Sequence, residues 1–195
     1  SGGGAGIQAD LKTFHALGCF GVSAITAITA QNTTGVRAVQ AIEPAVVRQQ
    51  IEAVVEDFPV GAAKTGMLFS AAIIAEVRGA LEALHPRLPL VVDPVMVASS
   101  GDRLLEKSAE AALSDFLSMA TLITPNIPEA ELLTGKKIHS IEDMKEAAAV
   151  LRAKTGAAVL LKGGHRAAHS DVVTDVFFGD EFTLLEAPLV PARNT

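Results

Sequence analysis

The chain contains no tryptophan, no tyrosine and only one cysteine, Cys19. A single cysteine excludes an internal disulfide and suits a reducing compartment. No apolar run reaches the ~18 residues that a membrane-spanning helix needs. Basic residues are outnumbered, 16 against 22 acidic ones, for a net charge of −6. That balance argues against a general binder of nucleic acid or anionic membrane, yet a local phosphate site needs only a few placed donors. There are no internal repeats, low-complexity tracts or linkers. What remains is 195 residues, 49% of them hydrophobic, enough to bury one sizeable core. We expect a soluble, cytoplasmic protein whose residues 1–195 form a single domain.

Apolar runs bounded by turn residues alternate with amphipathic stretches along most of the length. Residues 7–17 have helical spacing at Ile7, Leu11 and Phe14, with Gly18 as the stop. Residues 20–30, small, apolar and β-branched, read as a buried strand, and Cys19 at its start as a buried small hydrophobe. Residues 36–42 alternate like a half-buried strand. Pro44 opens a helix to about Asp57 and Ser70 caps another to about Leu84. Further strands are expected at 62–65, 90–93, 121–124 and 157–162, with helices at 108–118, from Pro128 to Gly135, and from a Ser140/Asp143 capping box to Thr155. Residues 172–178 and 181–187 flank Gly179-Asp180 as a hairpin. The pattern predicts an α/β fold, a mostly parallel sheet with helices on both faces and an antiparallel ending.

In such sheets ligands bind beyond the carboxyl ends of the strands, so the polar residues there are the candidates. Asp93 follows Leu90-Val91-Val92 and stands before Pro94, with Ser99 to Asp102 beyond. Its carboxylate suits Mg²⁺ near a nucleotide, or simply caps a loop. Asn126 and Glu129 follow the next strand in Thr124-Pro125-Asn126-Ile127-Pro128-Glu129. Glu129 could share a cation with Asp93 or merely favour the helix dipole. Lys162-Gly163-Gly164-His165 puts a point charge before two glycines, which suits polyphosphate, although the Gly-Lys-Ser/Thr ending of a P-loop is missing. His165 and His169, four apart, lack a third ligand and make a poor metal site. By spacing alone, Gln31, Met67 and Val95 are core or loop residues.

The first residues add a glycine-rich turn, Ser1-Gly2-Gly3-Gly4-Ala5-Gly6, feeding a helix N-terminus where free N–H groups meet ligand atoms. With Ile7-Gln8-Ala9-Asp10-Leu11-Lys12-Thr13 this stretch resembles the start of the hydroxymethylpyrimidine/phosphomethylpyrimidine kinases, the thiamine-pathway branch of the ribokinase-like superfamily. Ala-Gln-Asn-Thr at 30–33, Lys-Thr-Gly-Met-Leu at 64–68, Asp-Pro-Val-Met at 93–96, Thr-Pro-Asn-x-Pro-Glu-Ala at 124–130 and Lys-Gly-Gly-His at 162–165 extend the resemblance over essentially the whole chain.

The resemblance implies a ribokinase-like fold and two successive phosphoryl transfers from ATP, to a hydroxymethylpyrimidine and then to its monophosphate. It implies that Gly4, Ala5, Gln31, Met67 and Val95 contact the pyrimidine. A glutamine amide supplies the two-way hydrogen bonding that an exocyclic amine requires. It further implies that Asn126, Lys162, Gly163 and Gly164 face ATP, that Asp93 and Glu129 hold Mg²⁺, and that the complete protein is a homodimer. The family's first strand and its His-Gly-Thr-Gly-Cys helix, with the anion hole and catalytic residue, would fall before Ser1 and just beyond Thr195. No catalytic residue is therefore assigned within the chain, which is expected to be incomplete at both termini and inactive alone.

Three rivals compete with this reading. A pyridoxal kinase shares the architecture and binds a similar ring. A catalytically dead remnant would keep the same motifs. An NAD-dependent oxidoreductase would explain Gly4-x-Gly6-x-x-Ala9, but the acidic residue that fingerprint requires is replaced by Thr29-Ala30-Gln31.

Overall fold

A computed structural model of the chain describes residues 2–84, 88–97, 103–164 and 171–190. Ser99 to Asp102, His165, His169 and the last five residues, all considered above, lie outside the described residues. The elements run α1 (Ile7–Ala16), β1 (Ala27–Asn32), β2 (Gly35–Ala41), α2 (Pro44–Asp57), β3 (Ala63–Thr65), α3 (Ala71–Glu82), β4 (Leu90–Val92), α4 (Glu110–Phe116), β5 (Leu122–Ile123), α5 (Ile127–Thr134), α6 (Ile141–Thr155), β6 (Ala158–Leu161), β7 (Val172–Phe178) and β8 (Phe182–Pro188).

Six strands form one sheet in the order β3-β4-β5-β6-β7-β8. The first four are parallel, and β7 and β8 close the sheet as an antiparallel hairpin. The expected α/β class, the mostly parallel sheet and the hairpin around Gly179-Asp180 are all present. Local chemistry sets the helix ends. Ser70 Oγ accepts the Ile73 N–H at 3.3 Å and caps α3. Asn126 and Ser140 form capping boxes with Glu129 and Asp143, and Gly135 and Gly156 end the same helices at φ 71° and 76°. That left-handed region is open to glycine at little cost. Among the described residues, no helix is long and apolar enough to cross a membrane.

Register divides the sheet into two unequal faces. Lys64, Val91, Leu122 and Ala158 stand in one row across β3 to β6, and Thr65, Val92, Ile123 and Val159 in the next. Side chains alternate along a strand, so adjacent rows point to opposite faces. Leu90, Val92, Ile123, Val159 and Leu161 are buried in the core with residues of α3, α4 and α6. Burial of each such side chain contributes roughly 1.5–3 kcal/mol before chain entropy is charged. Val91, Leu122, Ala158 and Leu160, on the other face, are only half-buried. Toward that face lies α1, which has no buried residue. An ion pair from Asp10 to Lys64 at 2.9 Å links it to β3.

Three expectations need correction. Residues 19–26 form no strand; β1 begins only at Ala27 and, among the described residues, its strand partner is β2, in a separate two-stranded antiparallel arm. The backbone of Ile25 is bonded instead to a side chain: its N–H donates to Gln50 Oε1 at 2.8 Å and its carbonyl accepts from Gln50 Nε2 at 3.0 Å. Apolar composition signals an extended chain without revealing whether a strand or a side chain will partner it. Cys19 is exposed, where the sequence suggested burial. The helix expected at 108–118 is a shorter α-helix flanked by single 3₁₀ turns, Lys107–Ala109 and Leu117–Met119.

Candidate active site

The ends of β4, β5 and β6 bring together four of the residues singled out in the sequence. Asp93 follows β4, and its N–H donates to the Thr65 carbonyl of β3 at 3.0 Å. Lys162 follows β6, and its ammonium lies 3.1 and 3.3 Å from the two carboxylate oxygens of Asp93. Between them, Asn126 pairs with Lys162 in an isolated parallel bridge, and the Lys162 N–H donates to the Pro125 carbonyl at 2.8 Å. Sheet pairing thus carries a residue 69 positions away to the side of Asp93.

Glu129 is only 3% exposed. Its Oε2 accepts the Asn126 N–H at 2.9 Å, while Asn126 Oδ1 accepts the Glu129 N–H at 2.9 Å. The Met96 N–H also donates to this carboxylate. Glu129 therefore ties the loop after β4 to the loop after β5. Burial, above all, pushes its carboxyl up to about 7; the Asp93 charge adds to the rise, and the Asn126 N–H, the Lys162 ammonium and the Met96 N–H oppose it. Taking a carboxylate out of water destabilises the charged form, which donors offset only in part.

The two glycines after Lys162 have different surroundings. A Cβ at Gly163 would lie 1.8 Å from the Thr174 carbonyl oxygen, so the close backbone approach foreseen there is to β7. Its N–H donates to Asp175 Oδ1 at 2.7 Å. Gly164 is exposed, and a Cβ on it would meet nothing within 4 Å. Asp175 escaped the sequence reading, though a carboxylate inside the apolar run of β7 was the available signal.

The remaining candidates lie around the glycine loop and the arm. Gly3 and Gly6 have φ of 76° and 68°, and Gly6 stands at the N-cap of α1. A Cβ on Gly2 would sit 3.6 Å from Asn32 Cα and 3.7 Å from the Gln31 carbonyl oxygen, so the loop runs against the far end of β1. Gly4 and Ala5 are exposed within that loop. Gln31 follows a register shift in β1. Met67 is in the turn between β3 and α3, and the Val95 N–H donates to the Asp93 carbonyl at 2.8 Å. The candidates thus form two groups, one at the ends of β4 to β6 and one at the arm and glycine loop, with Met67 and Val95 on the loops that follow β3 and β4.

The model of the phosphomethylpyrimidine kinase family matches residues 1–195. A hydroxymethylpyrimidine/phosphomethylpyrimidine kinase of Rhizobium meliloti is 49% identical over 199 residues, covering 100% of this chain and 73% of that protein. The thiamine biosynthesis bifunctional protein ThiED of Geobacter sulfurreducens is 48% identical over 196 residues, and here the chain spans only 40% of the relative's length. Among solved structures, a phosphomethylpyrimidine kinase from Clostridium difficile superposes with a TM-score of 0.83 at 47% identity, over 93% of this chain and 78% of that one. A pyridoxal kinase from Staphylococcus aureus in complex with pyridoxal gives 0.85 at 36% identity, over 98% and 70%. Shape is equally close to both kinases, whereas sequence is closer to the first. The chain belongs to the phosphomethylpyrimidine kinase family.

Proposed function

We propose that this chain is the greater part of a kinase that phosphorylates 4-amino-5-hydroxymethyl-2-methylpyrimidine with ATP and then phosphorylates the monophosphate to the diphosphate. The observation that carries the reading is the meeting of Asp93, Lys162, Asn126 and Glu129 at three successive strand ends. Catalysis of phosphoryl transfer consists mostly of positioning and charge neutralisation, and this corner supplies both kinds of group. Lys162, held by Asp93 in the free protein, faces the nucleotide phosphates. Asn126 spends its Oδ1 on the helix cap and offers its amide nitrogen, and Gly164 leaves open space for a phosphate to approach. Gly163 supports the strand end on which Lys162 stands.

Asp93 and Glu129 are the proposed magnesium residues. Mg²⁺ keeps several waters and takes one or two carboxylates together with substrate phosphates. A partly exposed Asp93 beside a buried Glu129 fits that requirement. When bound, the ion neutralises charge on the β- and γ-phosphates. Gly4, Ala5, Gln31, Met67 and Val95 form the proposed pyrimidine side, with Gln31 reading the ring. We also propose a cytoplasmic homodimer.

The test is a competition assay on the complete protein with ATP and Mg²⁺, offering the hydroxymethylpyrimidine and pyridoxal together. The expected result is a kcat/KM for the pyrimidine at least tenfold higher. A preference for pyridoxal would move the protein to the other vitamin kinase, and turnover of neither would leave a binding remnant.

A further inference from the structure

The hydroxyl of Thr26 donates to the Met67 carbonyl at 2.6 Å, across 41 positions of sequence. Thr26 lies at the root of the arm, one residue before β1, and its own carbonyl accepts the Ile42 N–H at 2.9 Å just after β2. Next to it, Ile25 is clasped on both backbone groups by Gln50 of α2. The root is therefore fixed to the body of the molecule, while the far end carries Gln31 alongside the glycine loop.

Met67 is in a turn with little regular pairing of its own. Two residues later Phe69 takes a φ of 63°, a left-handed conformation that an aromatic residue adopts only when its surroundings impose it. The Phe69 carbonyl accepts the Glu106 N–H at 2.9 Å, and Ser70 begins the cap of α3. The turn is thus held at its far end by α3 and the 105–106 segment, and at Met67 by Thr26.

We propose that Thr26 is a positioning residue that couples the arm to the Met67 turn and so sets the spacing between the two walls of the pyrimidine site. This rests on the functional reading above, in which Gln31 and Met67 face the ring. In this role Thr26 acts through the Met67 carbonyl on one side and the β1–β2 pairing on the other.

Thr26→Val keeps the shape and removes the donor, and Thr26→Ser keeps the donor and removes a methyl group. Amide hydrogen exchange without ligand is the first readout. Thr26→Val should speed exchange at least threefold at residues 66–69 and 27–32, with no change in α5 and α6, and Thr26→Ser should restore protection. Steady-state kinetics is the second. Loss of one hydrogen bond should raise the KM for the pyrimidine roughly three- to tenfold with the KM for ATP unchanged. Unaltered exchange at 66–69 in Thr26→Val would overturn the coupling, whatever the substrate proves to be. Equal rises in both KM values would overturn the role in ring recognition. If the complete wild-type protein phosphorylated no pyrimidine, the functional reading would fail by itself, and the exchange measurement would still decide the coupling.

Discussion

Glu129 is a buried carboxyl at the start of α5 whose hydrogen bonds and titration are both set by its surroundings. Its carboxylate accepts N–H groups from two successive strand-end loops, yet burial raises its pKa from the ordinary 4.5 to about 7. The folded protein therefore holds this proton more tightly than the unfolded chain does. The stability linked to it is complete below pH 4.5 and declines as pH rises from 4.5 through about 7. The loss should total on the order of 3 kcal/mol in the free protein. Glu129→Gln retains an acceptor for the helix cap and cannot titrate. Urea midpoints measured between pH 5 and pH 8 should fall with pH in the wild type and stay nearly flat in the variant. An equal slope in both proteins would mean that another group titrates. Asp93 and Lys162 were legible at this scale as residue types at strand ends, but their pairing was not. A contact across 69 positions is created by the order of strands in the sheet, which no local pattern encodes.

Among the elements, the junction from β6 to β7 gives the sharpest contrast between neighbours. At Gly163 a methyl group would lie 1.8 Å from a backbone oxygen of β7, an atom that cannot swing aside, while at Gly164 it would meet open space. Gly163→Ala should separate the two strands near Asp175 and cost at least about 3 kcal/mol, in the range of severe overpacking. Gly164→Ala should leave the thermal midpoint almost unchanged and affect only nucleotide affinity. Comparable losses in both variants would mean that the junction tolerates or rejects substitution as a whole. Helix ends were well written in the sequence, because Pro44, Ser70, Gly135 and the Ser140/Asp143 box act within a turn of chain. The extended segment before β1 was misread for the opposite reason. Its partner is a glutamine 25 residues away on α2, and β-branched composition carries no information about such a partner.

For the molecule as a whole, the decisive feature is the unequal cover of the sheet. Leu160 and Leu161 are consecutive in β6, yet Leu161 is fully buried in the core and Leu160 lies on the half-covered face. Leu161→Ala should cost about 2–5 kcal/mol through lost burial and an unfilled cavity. Leu160→Ala should cost less than half as much, and denaturant titration of the two variants checks the ratio. The α/β class and mostly parallel sheet were readable from alternating strand and helix signals. The difference between faces was not, since Leu90-Val91-Val92 and Ala158-Val159-Leu160-Leu161 are apolar at every position.

The row structure of that sheet gives every strand from β3 to β6 a shared phase. If each position were replaced in turn by a polar residue and survival scored, tolerance should rise and fall with a period of two, tolerant at Val91, Leu122, Ala158 and Leu160 and intolerant at Leu90, Val92, Ile123, Val159 and Leu161. Because the phase on each strand is locked to its neighbour by hydrogen-bonded register, aligning those oscillations would show which residues of different strands share one face of the sheet. Substitution data alone would then contain the division between faces that the uniformly apolar segments β4, β5 and β6 conceal.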